Sequence, residues 1–292
     1  MRVLVTGCHG QVGSEVVALA DENFDVRRLG HRELDITSAN AIDRRLDEAM
    51  PDVVVNCAAY TAVDLAEDEP KTAYQVNADA VELLGHACAR RGVAIIHLST
   101  DYVFDGRKET PYTEDDRPNP LGVYGASKLA GEDRLRGATD RHIILRVSWV
   151  FGRLGRGFPD TILRLGSTRD ELTVVDDQIG TPSPATSIAT AVRRIAEEAL
   201  AVDELWGTYH FATEPAVSWC AFARHVLDAG VESGLLPSAP TVRPISTADW
   251  PAKAARPLNS RLDARKAARA FGLKPMPWAP HLVRYVKSRK PQ

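Results

Sequence analysis

The chain has 292 residues, of which 44% are hydrophobic and 26% charged, with a formal net charge of −3. These are the proportions of a soluble globular protein large enough for a sheet domain and a smaller lobe. The near balance of charge excludes a nucleic-acid footprint, and no apolar stretch approaches the roughly 20 residues a membrane helix needs.

The first half alternates short apolar runs with amphipathic stretches. Strands are predicted at Arg2–Thr6, Val26–Leu29, Asp52–Cys57, Ala94–Ser99 and His142–Val147. The runs VVVN, AIIHLS and IILRVS are β-branched and nearly continuous, as strands buried on both faces must be. Helices are predicted between them at Gln11–Asp21, Ala39–Ala49, Glu69–Arg91 and Gly122–Arg136. Strand–helix alternation implies right-handed crossovers, hence an α/β fold with a doubly wound parallel Rossmann sheet and ligands beyond its carboxyl ends.

After about Val150 the pattern changes. Arg153–Phe158 is rich in Gly and Arg, Thr181–Ser187 holds two prolines, and Pro237–Pro257 is punctuated by proline. Gly207–Thr213 still reads as a strand, and helices are expected at Ser187–Ala201, Ser218–Ala229, Ala264–Phe271 and Trp278–Ser288. The expected division is a dinucleotide-binding domain over 1–150, rejoined by about 185–213, and a smaller interleaved C-terminal substrate lobe over 151–292.

Gly7, Gly10 and Gly13 follow the first strand and precede the first helix, where glycine allows a tight turn and close approach of backbone to a pyrophosphate. The second strand ends in Gly30-His31-Arg32 rather than an acidic residue. Arg32 is read either as a partner for the 2′-phosphate of NADP or as a solvated surface charge, and the first favours NADPH while leaving NADH possible. Asp35 and Ile36 follow, where they could flank adenine. Ala58 and Ala59 are small enough for the chain to pass beneath a cofactor, and Asn77 is a candidate for a buried structural hydrogen bond.

Ser99 and Thr100 close the fourth strand, and a hydroxyl there can donate to a substrate carbonyl. Tyr124 and Lys128 stand four residues apart on one helix face, a spacing that lets the ammonium lower the phenol's pKa. Asp101, Asp105, Asp115 and Asp116 are read as turn and capping residues rather than acid–base or metal groups. Trp149 is either a core aromatic or, at a strand's carboxyl end, an apolar wall for a substrate. Cys8, Cys57, Cys88 and Cys220 form no C-x-x-C and read as reduced thiols, and the histidines show no metal-ligand spacing. A start that runs directly into RVLVTG, without a charged-then-apolar leader, sets the expectation of a cytoplasmic protein.

TGCHGQVGSE, PDVVVNCAAYTAVDLAEDEP, LSTDYVFDG, NPLGVYGASKLAGE, LRVSWVFG, DDQIGTPSP and RPLNSRLD occur in the order and spacing of one family. The chain resembles the dTDP-4-dehydrorhamnose reductases, extended short-chain dehydrogenase/reductases, over nearly its whole length. The resemblance implies NAD(P)H-dependent reduction of the C4 ketone of a dTDP-linked 4-keto-6-deoxy sugar to give dTDP-L-rhamnose. It assigns Thr100, Tyr124 and Lys128 to catalysis: Tyr124 as proton donor, Lys128 to tune it and bind the ribose, Thr100 to polarise the ketone. It places Gly10, Gln11 and Val12 at the pyrophosphate, Asp35 and Ile36 at the adenosine, and Ala58, Ala59 and Tyr60 beneath the cofactor. Thr61, Val63, Tyr102 and Trp149 fall on the substrate side, with Gln178 shaping the pocket.

Two departures stand out. Gly157-Phe158 replaces the family's usual Asn-Phe. Glu15 matches one position of a magnesium-bridged dimer found in some members, yet SPATSIATAV lacks the acidic residues expected for a further ligand. No required metal is therefore expected, with a monomer or homodimer left open and neither nucleic acid nor membrane as partner. The alternatives are reduction of a related dTDP-4-keto sugar and a non-catalytic reductase-like subunit. A 4,6-dehydratase is disfavoured because Thr100-Asp101 is followed by Tyr102 rather than Glu.

Overall fold

The computed structural model describes residues 1–154 and 157–289. In chain order the first half holds β1 (Arg2–Thr6), α1 (Gln11–Val17), β2 (Asp25–Leu29), α2 (Ala39–Ala49), β3 (Val53–Asn56), α3 (Val63–Ala66), α4 (Pro70–Tyr74), α5 (Ala80–Ala89), β4 (Ala94–Thr100), α6 (Val123–Ala138) and β5 (His142–Val147). The second half adds β6 (Val150–Phe151), α7 (Phe158–Gly166), β7 (Glu171–Val175), β8 (Ile179–Gly180), β9 (Ser183–Pro184), α8 (Ala185–Ala201), β10 (Gly207–His210), β11 (Val217–Ser218), α9 (Trp219–Glu232), β12 (Thr241–Ile245), α10 (Arg265–Phe271) and α11 (Ala279–Lys287).

Six parallel strands form the main sheet in the order β10-β5-β4-β3-β1-β2. Strand order reverses between β1 and β3, so a crevice opens beyond their carboxyl ends. Alternation along each strand sends side chains to opposite faces. Val3, Val5, Val53, Val55, Ile143 and Leu145 pack with α1 and α8, whereas Leu4, Val54, Ile95 and Ile144 pack with α2, α5 and Leu135 of α6. Each of these side chains, fully buried, contributes about 1.5–3 kcal/mol. A separate core joins α7, β7, α9 and α11 through Ile162, Leu172, Val174, Phe222, Trp278 and Leu282. The fold is thus the expected doubly wound Rossmann sheet with a smaller interleaved C-terminal lobe.

Three local differences from the sequence reading have physical causes. The helix predicted over Glu69–Arg91 is broken by a π turn at Gln75–Asp79, which lets Asn77 turn its buried amide onto the backbone of Tyr60. Helix α7 and strand β7 lie in a stretch assigned no element. β12 lies in the proline-punctuated stretch; among the described residues it pairs only with β7, so Pro244 is tolerated on an edge strand.

Helix α6 is anchored to β5 by a buried ion pair. Glu132 accepts from Arg146 Nε at 2.9 Å and Nη2 at 2.6 Å, and from Ser99 Oγ. Burial pushes the Glu132 carboxyl up, but Arg146, the Ser99 hydroxyl and Arg136 together more than offset it and hold the group below the usual carboxylate range. Removing one partner of such a pair costs far more than removing both, because a charge is left in the core. Arg146→Leu should therefore lower unfolding stability by about 3 kcal/mol in urea titration. The double variant with Glu132→Leu should recover most of that loss; a double variant as unstable as the single would show that the pair is not what anchors the helix.

Candidate active site

The glycine turn is packed backbone to backbone against the segment that leaves β3. Gly7 has a φ of +64°, and a Cβ there would stand 2.6 Å from the Ala58 nitrogen. A Cβ on Gly13 would run into the Gly7 carbonyl. Gly10 offers α1 no side-chain cap, and the Gln11 Oε1 is buried without a partner among the described residues. Asn77 fixes the far end of the β3 segment. Its Oδ1 accepts the Tyr60 N–H at 2.9 Å, and its Nδ2 donates to the Tyr60 carbonyl and to Ser127 Oγ, both at 3.0 Å.

Tyr124, Lys128 and Thr100 meet at the carboxyl end of β4. Tyr124 lies at the first turn of α6, its ring edge-on to Tyr102 with centroids 5.5 Å apart. The Thr100 hydroxyl accepts the Tyr102 N–H at 3.2 Å and donates to Asp101 Oδ1 at 3.1 Å. Lys128 Nζ donates to the Leu98 carbonyl at 2.7 Å and stands 3.1 Å from His97 Nε2.

The charge states differ from the sequence reading. Burial pushes the Tyr124 phenol up to about 12, with contact from Thr100 pulling the other way. The expected lowering of this phenol by Lys128 is absent here, because the Lys128 amine is turned to the floor of the sheet and is itself driven down by burial to about 8. Asp101 opens the short 3-10 turn Asp101–Val103, as its reading as a turn residue expects, but its surroundings differ from those of the other aspartates. Asp105 and Asp116 do serve turns, accepting the N–H groups of Arg107 and Thr113. Asp101 also lines the cleft, 3% exposed, and burial pushes its carboxyl up to about 6 against hydrogen bonds from Ser260 and Thr100.

One cleft of about 870 Å³ gathers most of the candidate residues. Gly7, Gly10, Gln11, Val12 and Gly13 line one end, with Asp35, Ile36, Ala58, Ala59 and Tyr60 beside them. Thr61, Val63, Thr100, Tyr102, Tyr124, Lys128 and Trp149 line the rest. Arg32 is exposed and is not among the lining residues; its neighbour His31 is. Gln178 lies in an adjoining cavity of about 330 Å³ that shares Tyr102, Phe158 and Trp219 with the cleft.

The sequence reading missed several residues here. Trp219 stacks on Trp149 with centroids 3.5 Å apart, and Trp250 and Arg256 line the adjoining cavity. Arg256 also forms a paired hydrogen bond to Asp64 at 3.0 and 2.8 Å, tying the 246–258 segment to α3. Long-range pairing of this kind leaves no local signal. Glu15, the residue matched to a bridging metal site, faces Arg153 at 3.7 Å. Among the described residues no group of three or more His, Cys, Asp or Glu could hold a metal ion, and no helix is long and apolar enough to cross a membrane.

A glycine turn at the switch point of a parallel sheet, facing a Tyr-x-x-x-Lys helix and a strand-end threonine, defines a Rossmann-fold oxidoreductase of the NAD(P)H-dependent type. Comparison with known proteins narrows this class. The profile of the RmlD substrate binding domain matches residues 1–290. The chain is 45% identical over 280 residues to a dTDP-4-dehydrorhamnose reductase of Aggregatibacter actinomycetemcomitans, covering 95% of each chain. It is 43% identical to that of Sinorhizobium fredii, covering 98% of this chain and 97% of the other. The crystal structure of the Bacillus anthracis dTDP-4-dehydrorhamnose reductase in complex with NADP superimposes with a TM-score of 0.89 at 34% identity, over 97% of this chain and 98% of that one. The chain belongs to the dTDP-4-dehydrorhamnose reductase family.

Asp101 makes stability in this cleft depend on pH. Its folded pKa is raised, so its protonated form favours the fold; that contribution is complete below its unfolded pKa of about 3.9. It is lost as pH rises through about 6. Asp101→Asn should therefore gain stability relative to the parent as pH rises from 5 to 8 in urea titrations. A stability difference that is constant over that range would place the Asp101 carboxyl in an ordinary, solvated environment.

Proposed function

We propose that the chain reduces the C4 ketone of dTDP-4-dehydro-L-rhamnose to the alcohol of dTDP-L-rhamnose, using NADPH in preference to NADH. The observation that carries the reading is the meeting of Thr100, Tyr124 and Lys128 on one wall of a cleft that ends at the glycine turn. The residues fit a dinucleotide: the turn keeps clear the space a Cβ would fill, and the buried Gln11 Oε1 lacks a partner among the described residues. Gly7, Gly10, Gln11, Val12 and Gly13 would hold the pyrophosphate, and Asp35 and Ile36 the adenosine. Ala58, Ala59 and Tyr60 would pass beneath it, while Tyr124 and Lys128 would meet the nicotinamide ribose. Bound NADPH supplies the hydride for C4.

The chain's own groups handle the proton. Burial keeps Tyr124 protonated at neutral pH, so the phenol is ready to give its O–H proton to the alkoxide oxygen as charge develops there. Thr100 leaves its hydrogen bond to Asp101 to donate to the same oxygen. Lys128, one turn along the helix, offers positive charge to the phenolate that results. Thr61, Val63, Tyr102 and Trp149 would surround the sugar, and the adjoining cavity beside Gln178 would take the remainder of the substrate. Exposed Arg32, next to cleft-lining His31, is assigned to the 2′-phosphate.

NADPH oxidation with the 4-keto sugar, followed by identification of the product, tests the reading directly. Tyr124→Phe should lower kcat by about 10²–10⁴-fold, and NADPH binding without turnover in the parent would point to a binding subunit instead. Lys128→Met should cost more than about tenfold, since both ribose positioning and charge are lost. Arg32→Ala should weaken NADPH more than NADH; equal weakening would return Arg32 to the solvated surface.

A further inference from the structure

A row of buried polar side chains crosses three adjacent strands beneath the cleft. Thr6 and Asn56, the last residues of β1 and β3, and His97, in the middle of β4, are register partners exposed by 1%, 0% and 0%. Their side chains point to the face covered by α6 and end at Lys128, itself 2% exposed. Thr6 Oγ1 donates to Asn56 Oδ1 at 2.6 Å, Asn56 Nδ2 stands 3.0 Å from His97 Nδ1, and His97 Nε2 stands 3.1 Å from Lys128 Nζ.

Hydrogen positions along this row follow from one group that can only donate. The Ala58 N–H reaches Asn56 Oδ1 at 3.2 Å, which fixes the orientation of the amide and directs its NH₂ at His97 Nδ1. Nδ1 must then be the acceptor. Burial beside Lys128 holds the imidazole neutral, well below the usual histidine range, so its single proton sits on Nε2 and faces Lys128. An ammonium has no lone pair to receive that proton; a free amine does, and it can still donate to the Leu98 carbonyl.

We propose that Asn56 locks His97 in its Nε2–H tautomer, making His97 a positioning residue that favours the neutral amine of Lys128. Lys128 then changes charge within the working pH range rather than remaining a permanent cation. The other groups facing it do not reverse this. Cys57, beyond β3, is pushed by burial up to about 12 and stays a thiol. Glu132, on the same helix, favours the ammonium, but its charge is engaged by Arg146 from β5 and by Arg136. Tyr124 is neutral at working pH, and Leu98 contributes only a carbonyl.

The consequence for catalysis rests on the proposed reductase reading, but the proton state can be measured without turnover. Long-range ¹H–¹⁵N NMR of the parent should show His97 as the Nε2–H tautomer; an Nδ1–H tautomer overturns the proposal with no variant needed. In protein labelled with ¹³C at lysine Cε, the Lys128 signal, assigned by its loss in Lys128→Arg, should titrate near about 8. His97→Asn keeps an acceptor for Asn56 and removes the facing N–H, so it should raise that value by at least roughly half a unit, threefold in proton affinity. Asn56→Asp should raise it by reversing the tautomer, and this increment should shrink to less than roughly half in the double variant. An unmoved Lys128 titration in His97→Asn, or an undiminished increment in the double variant, rules the device out. With substrate, the alkaline limb of the kcat profile should move up in His97→Asn in step with the titration. A parent that titrates as expected yet turns over no 4-keto sugar would count against the reductase reading alone.

Discussion

Glu132 and Arg146 meet in the core with side chains 0% and 2% exposed, joining helix α6 to strand β5 of the main sheet. Two charges that far from water need nearly complete hydrogen bonding, and they have it. Glu132 accepts from Arg146, Arg136 and Ser99, while Arg146 lies over the Phe104 ring and beside His210. Because geometry this exacting tolerates little displacement, the pair sets the axial position of α6. Tyr124 and Lys128 lie two turns and one turn before Glu132, so their height at the rim of the sheet follows from it.

The lateral position of α6 is set by close backbone approach. A Cβ on Gly125 would strike the Tyr102 carbonyl, and one on Gly131 the Asn77 carbonyl. The helix therefore lies directly against the turn after β4 and against the π turn that carries Asn77. Asn77 in turn holds Tyr60, whose segment packs on the glycine turn through Ala58 and Gly7. These contacts form a continuous path from the buried ion pair to both ends of the cleft. Such single π turns are rare within helices and fall frequently at functional sites.

The sheet was legible because its strands are buried on both faces. Uninterrupted runs such as VVVN and IILRVS admit few other readings, and the glycine spacing requires a turn between strand and helix. Many of the cleft residues were legible for a related reason, since the glycine turn, Ala58, Ala59, Thr100 and Trp149 lie within a few residues of a strand's carboxyl end. Tyr124 and Lys128 were legible from their helical spacing. What escaped notice depended on contacts distant in sequence. Trp219 enters the cleft by stacking on Trp149, seventy residues earlier, and Arg256 reaches the site by pairing with Asp64. β12 shows neither alternation nor a continuous buried run, and its proline argues locally against a strand. Asp101 resembled its neighbours Asp105 and Asp116 in sequence; only its burial separates it from them.

Burial also reorders the electrostatics of the site. A Tyr-x-x-x-Lys spacing suggests a phenol already made acidic by its neighbour, but desolvation acts first and acts on every group present. It raises Tyr124, raises Asp101 and lowers Lys128, in each case towards the uncharged form. For the proton donor proposed above this would be the useful starting state, because a phenol in that role must hold its proton until an alkoxide begins to form. On that proposal the cost of the phenolate would fall as positive charge is brought to bear, and the protonation of Lys128 would become the variable that matters. Spacing along a helix places the two side chains on one face; the row from Thr6 to His97, beneath them in the sheet, bears on the charge that one of them carries.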